Sequence, residues 1–431
     1  MNVFLIPKIC EPIVPQDIDI VWKRNDRKRD DWKRNDWKRD DTVAISKTLY
    51  NYLTAIKNQI DQHIDYWDIY KKYTNPYEYI HTIVPDKKTS VSKYKPLSRS
   101  FYKFIEICHT FDILPDKDVP LKSFHLAEGP GGFIEAIIHL HGNPDDEYIG
   151  MTLQSSHVDI PGWKKSNEFL RRNPNIRLEN GPKKNGDLFE IDNLRYCYRH
   201  YRGAFDIITG DGGFDFSVDF DSQEQQSSRL IFAQILYALC MQKEGGTFVI
   251  KFFDTFTRIS LDLLYILAAF YDTVNIVKPN TSRMANSEKY IVCEGYNNHS
   301  DWSAIECFID KYTHIIGLID DNDDKSHIDD KSDVDDKSDV DDEDKSDDED
   351  KSYAIDRLLG RIEIPYYFIN KIEDYNAILG QQQIENINAT INKIVNRDAH
   401  TDYIRDLVQV NVSKCIQWCN RHGIPISSVF T

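Results

Sequence analysis

The chain has 431 residues, of which 41% are hydrophobic and 12% aromatic, so most of it should fold around a large core. A formal net charge of −17 argues against a nucleic-acid partner only if the negative charge is evenly spread. Residues 320–352 carry 18 acidic and five basic side chains, whereas residues 22–41 carry nine basic and six acidic ones. A basic groove elsewhere in the chain is therefore compatible with the overall charge.

Eight cysteines are scattered without a Cys-x-x-Cys pair, and several of them lie inside apolar runs. This pattern predicts reduced core cysteines in an intracellular protein, cytoplasmic or nuclear, and it disfavours a zinc site. No apolar run reaches the roughly 18 residues of a membrane span, and no N-terminal apolar block precedes a cleavage site. We therefore expect neither secretion nor a membrane-spanning segment.

Two stretches of the chain are internal repeats. Residues 22–41 repeat a five-residue unit (WKRND, RKRDD, WKRND, WKRDD), which fits neither a helical nor a strand period. We therefore assign residues 1–41 to a low-complexity N-terminal arm. The repeat at residues 22–41 is either an RNA-touching arm, with tryptophans that stack on bases, or a tolerated expansion.

The second repeat, in residues 319–352, is built on Asp-Asp-Lys-Ser. Repulsion between its acidic side chains and its few apolar groups predict a disordered segment. This segment is either a solvated linker or an acidic binding segment for a basic partner.

Helical spacing dominates the segment before the first predicted strand. Apolar residues three and four apart predict one amphipathic helix from Thr42 to about Tyr73, within a helical N-terminal extension at residues 42–97. A second helix, from about Leu97, carries Lys103 immediately before that strand.

The stretch Lys122 to Gly142 predicts a strand, a glycine turn and a helix. The turn contains Glu128-Gly-Pro-Gly-Gly132. Without Cβ atoms, backbone N–H groups can approach a ligand closely, and the helix that follows points its positive end at the same place. On its own, the motif also fits an ordinary strand-to-helix loop.

Strand patterns then alternate with helical ones, which predicts a mostly parallel α/β sheet covered on both faces. The link between the last two strands is too short for a crossover helix, so we expect them to pair antiparallel. Helical spacing returns in residues 353–431, which we assign to a C-terminal helical lobe. The predicted strands after the glycine turn are 148–153, 176–179, 205–209, 247–251, 273–277 and 289–293, and the predicted helices are 223–242 and 258–270.

Polar residues should meet at one edge of this sheet. Asp211 follows the fourth strand, Lys251 ends the fifth, and Glu288 begins the last strand, which runs the other way. Ligands bind beyond the carboxyl ends of the strands in such sheets. Two lysines, Lys103 and Lys251, and two carboxylates there suit activation of a hydroxyl group toward a methyl donor.

Residues 98–296 resemble the FtsJ-type (RrmJ-type) ribose 2′-O-methyltransferase domain, and specifically its eukaryotic and viral mRNA cap branch. The resemblance rests on SRSFYKFIEI, LAEGPGGF, GMTL, TGDGGF, GGTFVIKFFDTFT and KPNTSRMANSEKYIVCEGY, in the order that the family has them. It implies a Rossmann-like sheet with an antiparallel last strand, in a methyltransferase domain at residues 98–318 with N- and C-terminal helical extensions.

The resemblance also implies site residues and ligands. Its Lys-Asp-Lys-Glu catalytic tetrad falls on Lys103, Asp211, Lys251 and Glu288, with Lys251 in the proton-acceptor place. The cofactor is implied to be S-adenosyl-L-methionine, cradled by Glu128, Gly129, Pro130, Gly131, Gly132 and Phe133, with Asp187 and Leu188 at the adenosine. No metal is implied.

The expected substrate is the ribose 2′-OH of the first or second transcribed nucleotide of capped mRNA. Two alternatives stay open, namely the same reaction on ribosomal RNA, and a catalytically inactive RNA-binding protein with a methyltransferase fold.

Overall fold

The computed structural model describes residues 1–25, 43–155, 162–213, 223–298, 301–317, 352–397 and 401–431. Its strands are β1 (Asn2–Ile6), β2 (Val21–Asn25), β3 (Lys122–Leu126), β4 (Glu147–Met151), β5 (Ile176–Glu179), β6 (Phe205–Gly210), β7 (Gln242–Phe252), β8 (Tyr271–Lys278), β9 (Lys289–Tyr296) and β10 (Ser352–Arg357). Its α-helices are α1 (Lys47–Lys57), α2 (Ile64–Tyr73), α3 (Ser100–Phe111), α4 (Gly132–Leu140), α5 (Asn167–Arg172), α6 (Ile191–Tyr201), α7 (Gln223–Met241), α8 (Arg258–Phe270), α9 (Ser303–Gly317), α10 (Tyr366–Val395) and α11 (Thr401–Arg421).

Eight strands form the main sheet, in the order β1-β8-β9-β7-β6-β3-β4-β5. Strands β5, β4, β3, β6 and β7 are parallel, and β9 lies antiparallel between β7 and β8. The predicted Rossmann-like sheet with an antiparallel last strand is thus confirmed. After β3 the chain forms β4 on one side of it, and after β6 the chain forms β7 on the opposite side of the sheet. The strand order therefore reverses between β3 and β6, where such sheets bind ligands.

Side chains of the central strands alternate between two cores, as the period of two in a strand requires. Ile208 and Ile250 belong to the core that lies under α7, α8, α9 and α10. Ile207 and Val249, one residue earlier in each strand, belong to the core under α3, α4 and α11. Helices therefore cover both faces, so we expect a ligand to bind at the carboxyl edge of the sheet.

His125 lies inside the sheet near the switch point. Its ring nitrogens are 2.8 Å from Ser123 Oγ and 2.8 Å from Thr209 Oγ1, which ties β3 to β6. Burial lowers its pKa to about 3, so the imidazole is neutral at physiological pH.

The N-terminal residues differ from the sequence prediction. Residues 2–6, which we assigned to a low-complexity arm, form the edge strand β1 and pair antiparallel with β8. The first residues of the five-residue repeat form β2, which pairs with β10. The apolar run Val3-Phe4-Leu5-Ile6 has only four residues and no alternation that would mark it as a strand. Residues 26–42 of the repeat lie outside the described residues, and the division into domains stays a prediction.

The N-terminal extension contains two helices where the sequence predicted one. A straight helix from residue 42 to 73 would be nearly 50 Å long at about 1.5 Å per residue. Instead α1 ends before Asn58 and α2 starts at Ile64, and both helices pack against α10. The break thus lets both apolar faces reach one partner, which periodicity alone cannot reveal.

The C-terminal residues form the long helix α10, the helix α11 and the strand β10, so the segment is not wholly helical. Phe368 and Ile372 of α10 are buried in one core, and Trp418 of α11 is buried in the other. The C-terminal segment therefore packs on both sides of the sheet. Most of the acidic repeat, residues 318–351, lies outside the described residues. Among the residues that are described, none of the helices combines the length and apolar character needed to cross a bilayer.

Candidate active site

The glycine turn lies between β3 and α4, at the carboxyl edge of the sheet. Gly131 has φ +105°, a conformation that favours glycine. A Cβ on Gly132 would lie 2.2 Å from Ser100 Oγ, so a larger residue would separate the turn from α3. Glu128 Oε1 accepts a hydrogen bond of 2.6 Å from the N–H of Phe133. The turn is therefore held in one shape by close packing and by its own acidic residue.

Glu128 has an incomplete set of contacts. Its side chain is buried, and within the described residues its second oxygen, Oε2, has no hydrogen-bond partner. Burial, and then the negative charge of Asp211, raise the pKa of Glu128 well above its usual range. A buried carboxyl with one unpartnered oxygen favours a ligand that supplies the missing hydrogen bond or a positive charge.

Lys103 and Glu288 form the first of two ion pairs at this edge. Lys103 Nζ lies 2.6 and 2.8 Å from the two carboxylate oxygens of Glu288, and Ser282 Oγ donates to Glu288 Oε1 at 2.7 Å. Burial opposes the charge on Glu288, but the nearby Lys103 and Lys251 lower its pKa below its usual range. Burial lowers the pKa of Lys103 as well, which Glu288 opposes. Each side chain therefore opposes the effect of burial on the pKa of the other.

Lys251 and Asp211 form the second ion pair. Lys251 Nζ donates to the backbone oxygen of Asp211 at 2.7 Å and lies 3.2 Å from its Oδ1. The hydroxyl of Tyr290 donates to the same Oδ1 at 3.1 Å, while Lys103 Nζ lies 5.8 Å from the centre of the Tyr290 ring. The structure therefore brings the four predicted residues together as two ion pairs, with Tyr290 between them.

The loop at residues 279–288, which carries Glu288, is held by side chains of β8 and α3. The buried Lys278 donates to the backbone oxygens of Asn286 and Glu288, the latter at 2.7 Å. Burial lowers the pKa of Lys278 to about 7. From α3, Glu106 accepts hydrogen bonds from the N–H groups of Asn280 and Thr281 at 3.0 and 3.2 Å. Glu288 is thus positioned by a loop whose backbone is held at both ends.

A further ion pair ties the N-terminal extension to this loop. Glu78 accepts two hydrogen bonds from Arg283, of 3.0 and 2.6 Å, in a bidentate arrangement. The Glu78 side chain is fully buried, and although burial opposes its charge, Arg283 lowers its pKa below the usual range.

Sequence reasoning missed these supporting residues. For Tyr290 a signal was available: it follows Glu288 by two positions at the start of a strand, so both side chains face the same way. For Glu78 and Lys278 there was none, because their partners are distant in sequence or are backbone atoms.

Asp187 and Leu188 lie in the loop between β5 and α6. A Cβ on Gly186, just before them, would be 2.1 Å from the backbone oxygen of Thr152, so the loop is pressed against the end of β4. Asp187 Oδ1 accepts from the N–H of Phe189 at 2.9 Å. Both residues therefore lie at the carboxyl edge that also holds the glycine turn, two strands away, and their contact with a cofactor stays a prediction.

Comparison with known proteins gives this edge a family context. Residues 96–296 match the model of the family described as FtsJ-like methyltransferase. The resemblance to the FtsJ-type family is confirmed. The match includes both ion pairs and the glycine turn, and it excludes most of the N-terminal extension and all of the C-terminal helices.

Curated relatives are similar over the same part of the chain. Cap-specific mRNA (nucleoside-2′-O-)-methyltransferase 2 of Drosophila melanogaster is 32% identical over 212 residues, which are 46% of this chain and 30% of that protein. The corresponding methyltransferase 1 of Leishmania braziliensis is 34% identical over 44% of this chain and 48% of its own length. A Caenorhabditis briggsae relative named as the inactive methyltransferase 1B is 32% identical over 40% of this chain and 21% of its own. The chain spans less than half the length of each of these relatives.

Proposed function

We propose that this chain transfers a methyl group from S-adenosyl-L-methionine to a ribose 2′-OH in RNA, at the first or second transcribed nucleotide of capped mRNA. The observation that carries the proposal is the meeting of the Lys103–Glu288 and Lys251–Asp211 ion pairs at the switch point of the sheet, beside the turn that begins at Glu128. The FtsJ-like match over residues 96–296 supports the reaction class.

The residues of the glycine turn fit the proposed cofactor. Glu128 through Phe133 would hold it, because three of these six residues are glycines without a side chain and because one buried oxygen of Glu128 has no partner among the described residues. Asp187 and Leu188 would contact its adenosine. When bound, the cofactor supplies a methyl group made electrophilic by its sulfonium.

The two ion pairs would handle the ribose hydroxyl. Lys251, held by Asp211, lies at the end of its strand and would contact the 2′-oxygen. As an ammonium it donates a hydrogen bond that orients the oxygen and stabilises negative charge on it, and as an amine it accepts the hydroxyl proton. Lys103 and Glu288 would hold the ribose in line with the methyl group, since such displacements gain most from fixed geometry.

The capped substrate is favoured because the relatives named above carry cap-specific names. An RNA-binding protein without activity is the second candidate, since one similar protein is named as inactive. In this chain, however, all four charged residues are present and form the two ion pairs, which favours an active enzyme.

The test is methyl transfer from labelled S-adenosyl-L-methionine to short capped RNA, the same RNA uncapped, and ribosomal RNA fragments. We expect label on the 2′-oxygen of the first or second nucleotide of capped RNA only. Lys251→Ala should abolish this transfer and leave cofactor binding nearly unchanged. Label on ribosomal fragments alone would overturn the cap substrate, and no label on any RNA would favour the inactive alternative.

A further inference from the structure

The ion pair between Glu78 and Arg283 joins the candidate site to a segment outside the family match. Glu78 lies in a short helical turn of the N-terminal extension, before the FtsJ-like match begins. Arg283 lies in the loop at residues 279–288, next to Ser282, which donates to Glu288 Oε1 at 2.7 Å. A change at Glu78 can therefore reach Glu288 through two neighbouring residues of one loop.

Both carboxylate oxygens of Glu78 accept two hydrogen bonds. Oε1 accepts from Arg283 Nη2 at 2.6 Å and from Thr82 Oγ1 at 2.9 Å. Oε2 accepts from Arg283 Nε at 3.0 Å and from Asn75 Nδ2 at 2.7 Å. The side chain of Glu78 is fully buried, and that of Arg283 is 23% exposed. A buried carboxylate with four donors holds its guanidinium partner in one orientation.

Helices α10 and α11 fix the segment that carries Glu78. Asn386 of α10 donates to the backbone oxygen of Thr74 at 3.1 Å, and Asn411 of α11 donates to that of Tyr73 at 2.8 Å. Both helices lie beyond the end of the family match. The position of Glu78 therefore depends on N- and C-terminal parts of the chain that the family domain does not include.

Arg283 also interacts electrostatically with Glu288. Burial opposes the charge on Arg283, but its hydrogen bonds to Glu78 and the negative charges of Glu78, Asp68 and Glu288 raise its pKa. Asp68 is exposed and has its own lysine partner, so the carboxylate left for Arg283 within the site is Glu288. An arginine released from Glu78 has five N–H donors to satisfy and would compete with Lys103 for the carboxylate of Glu288.

We infer that Glu78 is a positioning residue of the active site, which holds Arg283 away from Glu288 so that Glu288 stays paired with Lys103. The inference rests on the proposed function, in which this pair holds the ribose. Because Glu78 is fully buried, it acts through Arg283 and not by contact with RNA. The segments on both sides of the family domain therefore take part in setting the reaction geometry.

The first test compares steady-state methyl transfer to capped RNA by the full chain and its variants. Glu78→Gln should lower kcat by about 100-fold, because the pair that holds the ribose is disturbed, and leave the KM for S-adenosyl-L-methionine unchanged. Adding Arg283→Met should restore kcat to within about tenfold of the wild type, because it removes the competing guanidinium. Glu78→Asp keeps the charge and should lower kcat by less than about tenfold, and it replaces Glu78→Gln should that variant not fold.

The matched control is the ion pair between Asp262 and Arg357. Asp262 is fully buried, Arg357 Nε lies 2.9 Å from both of its oxygens, and the exposed fractions of the two arginines, 23% and 18%, are similar. This pair also ties a segment outside the family match to the domain, but it lies between α8 and β10. Asp262→Asn should lower the melting temperature as Glu78→Gln does and leave kcat within about twofold of the wild type.

The second test does not depend on methyl transfer. Urea denaturation of the wild type, Lys103→Met, Glu288→Gln and the double variant measures the coupling between Lys103 and Glu288. The same four proteins are then made in the Glu78→Gln background. The coupling should be weaker in that background, recover when Arg283→Met is added, and stay unchanged in the Asp262→Asn background.

Unchanged coupling in the Glu78→Gln background would overturn the inference, as would a loss of kcat that Arg283→Met does not rescue. Equal losses of kcat in the Glu78 and Asp262 variants would show general destabilisation and would overturn it as well. A wild-type chain whose coupling depends on Glu78 in this way but which transfers no methyl group would contradict the proposed function alone.

Discussion

The two halves of the candidate site differ in how far the protein itself satisfies them. In the half that contains Lys103, Asp211, Lys251 and Glu288, each charge has an opposite charge within 3.2 Å. In the glycine-turn half, a buried carboxyl oxygen of Glu128 has no partner among the described residues. The first half is thus organised by its own ion pairs, whereas the second has a buried oxygen that a ligand would satisfy. Side chains fixed in advance suit the half that would control reaction geometry. A buried oxygen without a partner suits the half that would gain binding energy from a ligand.

The largest effect on the free energy of unfolding is expected when the Lys103–Glu288 ion pair is broken. Lys103→Met and Glu288→Gln should each lower the free energy of unfolding by about 3–5 kcal/mol, because each leaves a buried charge without its partner. The double variant should lose much less than the sum, since it removes the pair together. Urea denaturation of the four proteins measures this coupling. Additive losses would show that the two side chains do not depend on each other.

A smaller effect on the free energy of unfolding is expected from His125, which links β3 to β6. Burial keeps its pKa near 3, whereas an unfolded histidine titrates near 6.5, so the unfolded chain binds more protons between these values. Stability from this residue is therefore present above pH 6.5 and is lost as the pH falls, by about 2 kcal/mol between pH 7 and pH 5.

The comparison protein for this prediction is His125→Asn, which keeps polar atoms between Ser123 and Thr209. Its own stability at pH 7 is irrelevant, because only the change between pH 7 and pH 5 is compared. If the variant and the wild-type chain lose the same free energy, His125 is not a neutral buried group.

The sequence predicted those parts of the molecule that depend on local pattern. The strand, glycine turn and helix from Lys122 to Gly142 follow from apolar spacing, and the placement of Asp211, Lys251 and Glu288 on one edge follows from strand direction. The first is a property of local periodicity, and the second follows from the length of the connections between strands.

Long-range contacts could not be predicted in this way. The pairing of residues 2–6 with β8 joins segments more than 260 residues apart, and the bidentate pair between Glu78 and Arg283 joins segments 205 residues apart. The break between α1 and α2 also involves a long-range contact, because both helices pack against the distant helix α10.

The smallest effect is expected in the half that contains the glycine turn. Glu128→Gln should weaken binding of S-adenosyl-L-methionine about tenfold without loss of stability, because the change removes a buried carboxyl with no partner for one oxygen. The raised pKa of Glu128 adds a second readout. A cationic ligand favours the ionised carboxylate, so the wild-type chain should release protons on binding near neutral pH, and the variant should not. Calorimetry in two buffers of different ionisation enthalpy measures the release, and the exposed Glu168→Gln serves as the control. Proton uptake by the wild-type chain, or equal release by wild type and Glu128→Gln, would place the ligand's positive charge away from this carboxyl, and the glycine turn would then hold a different part of the ligand.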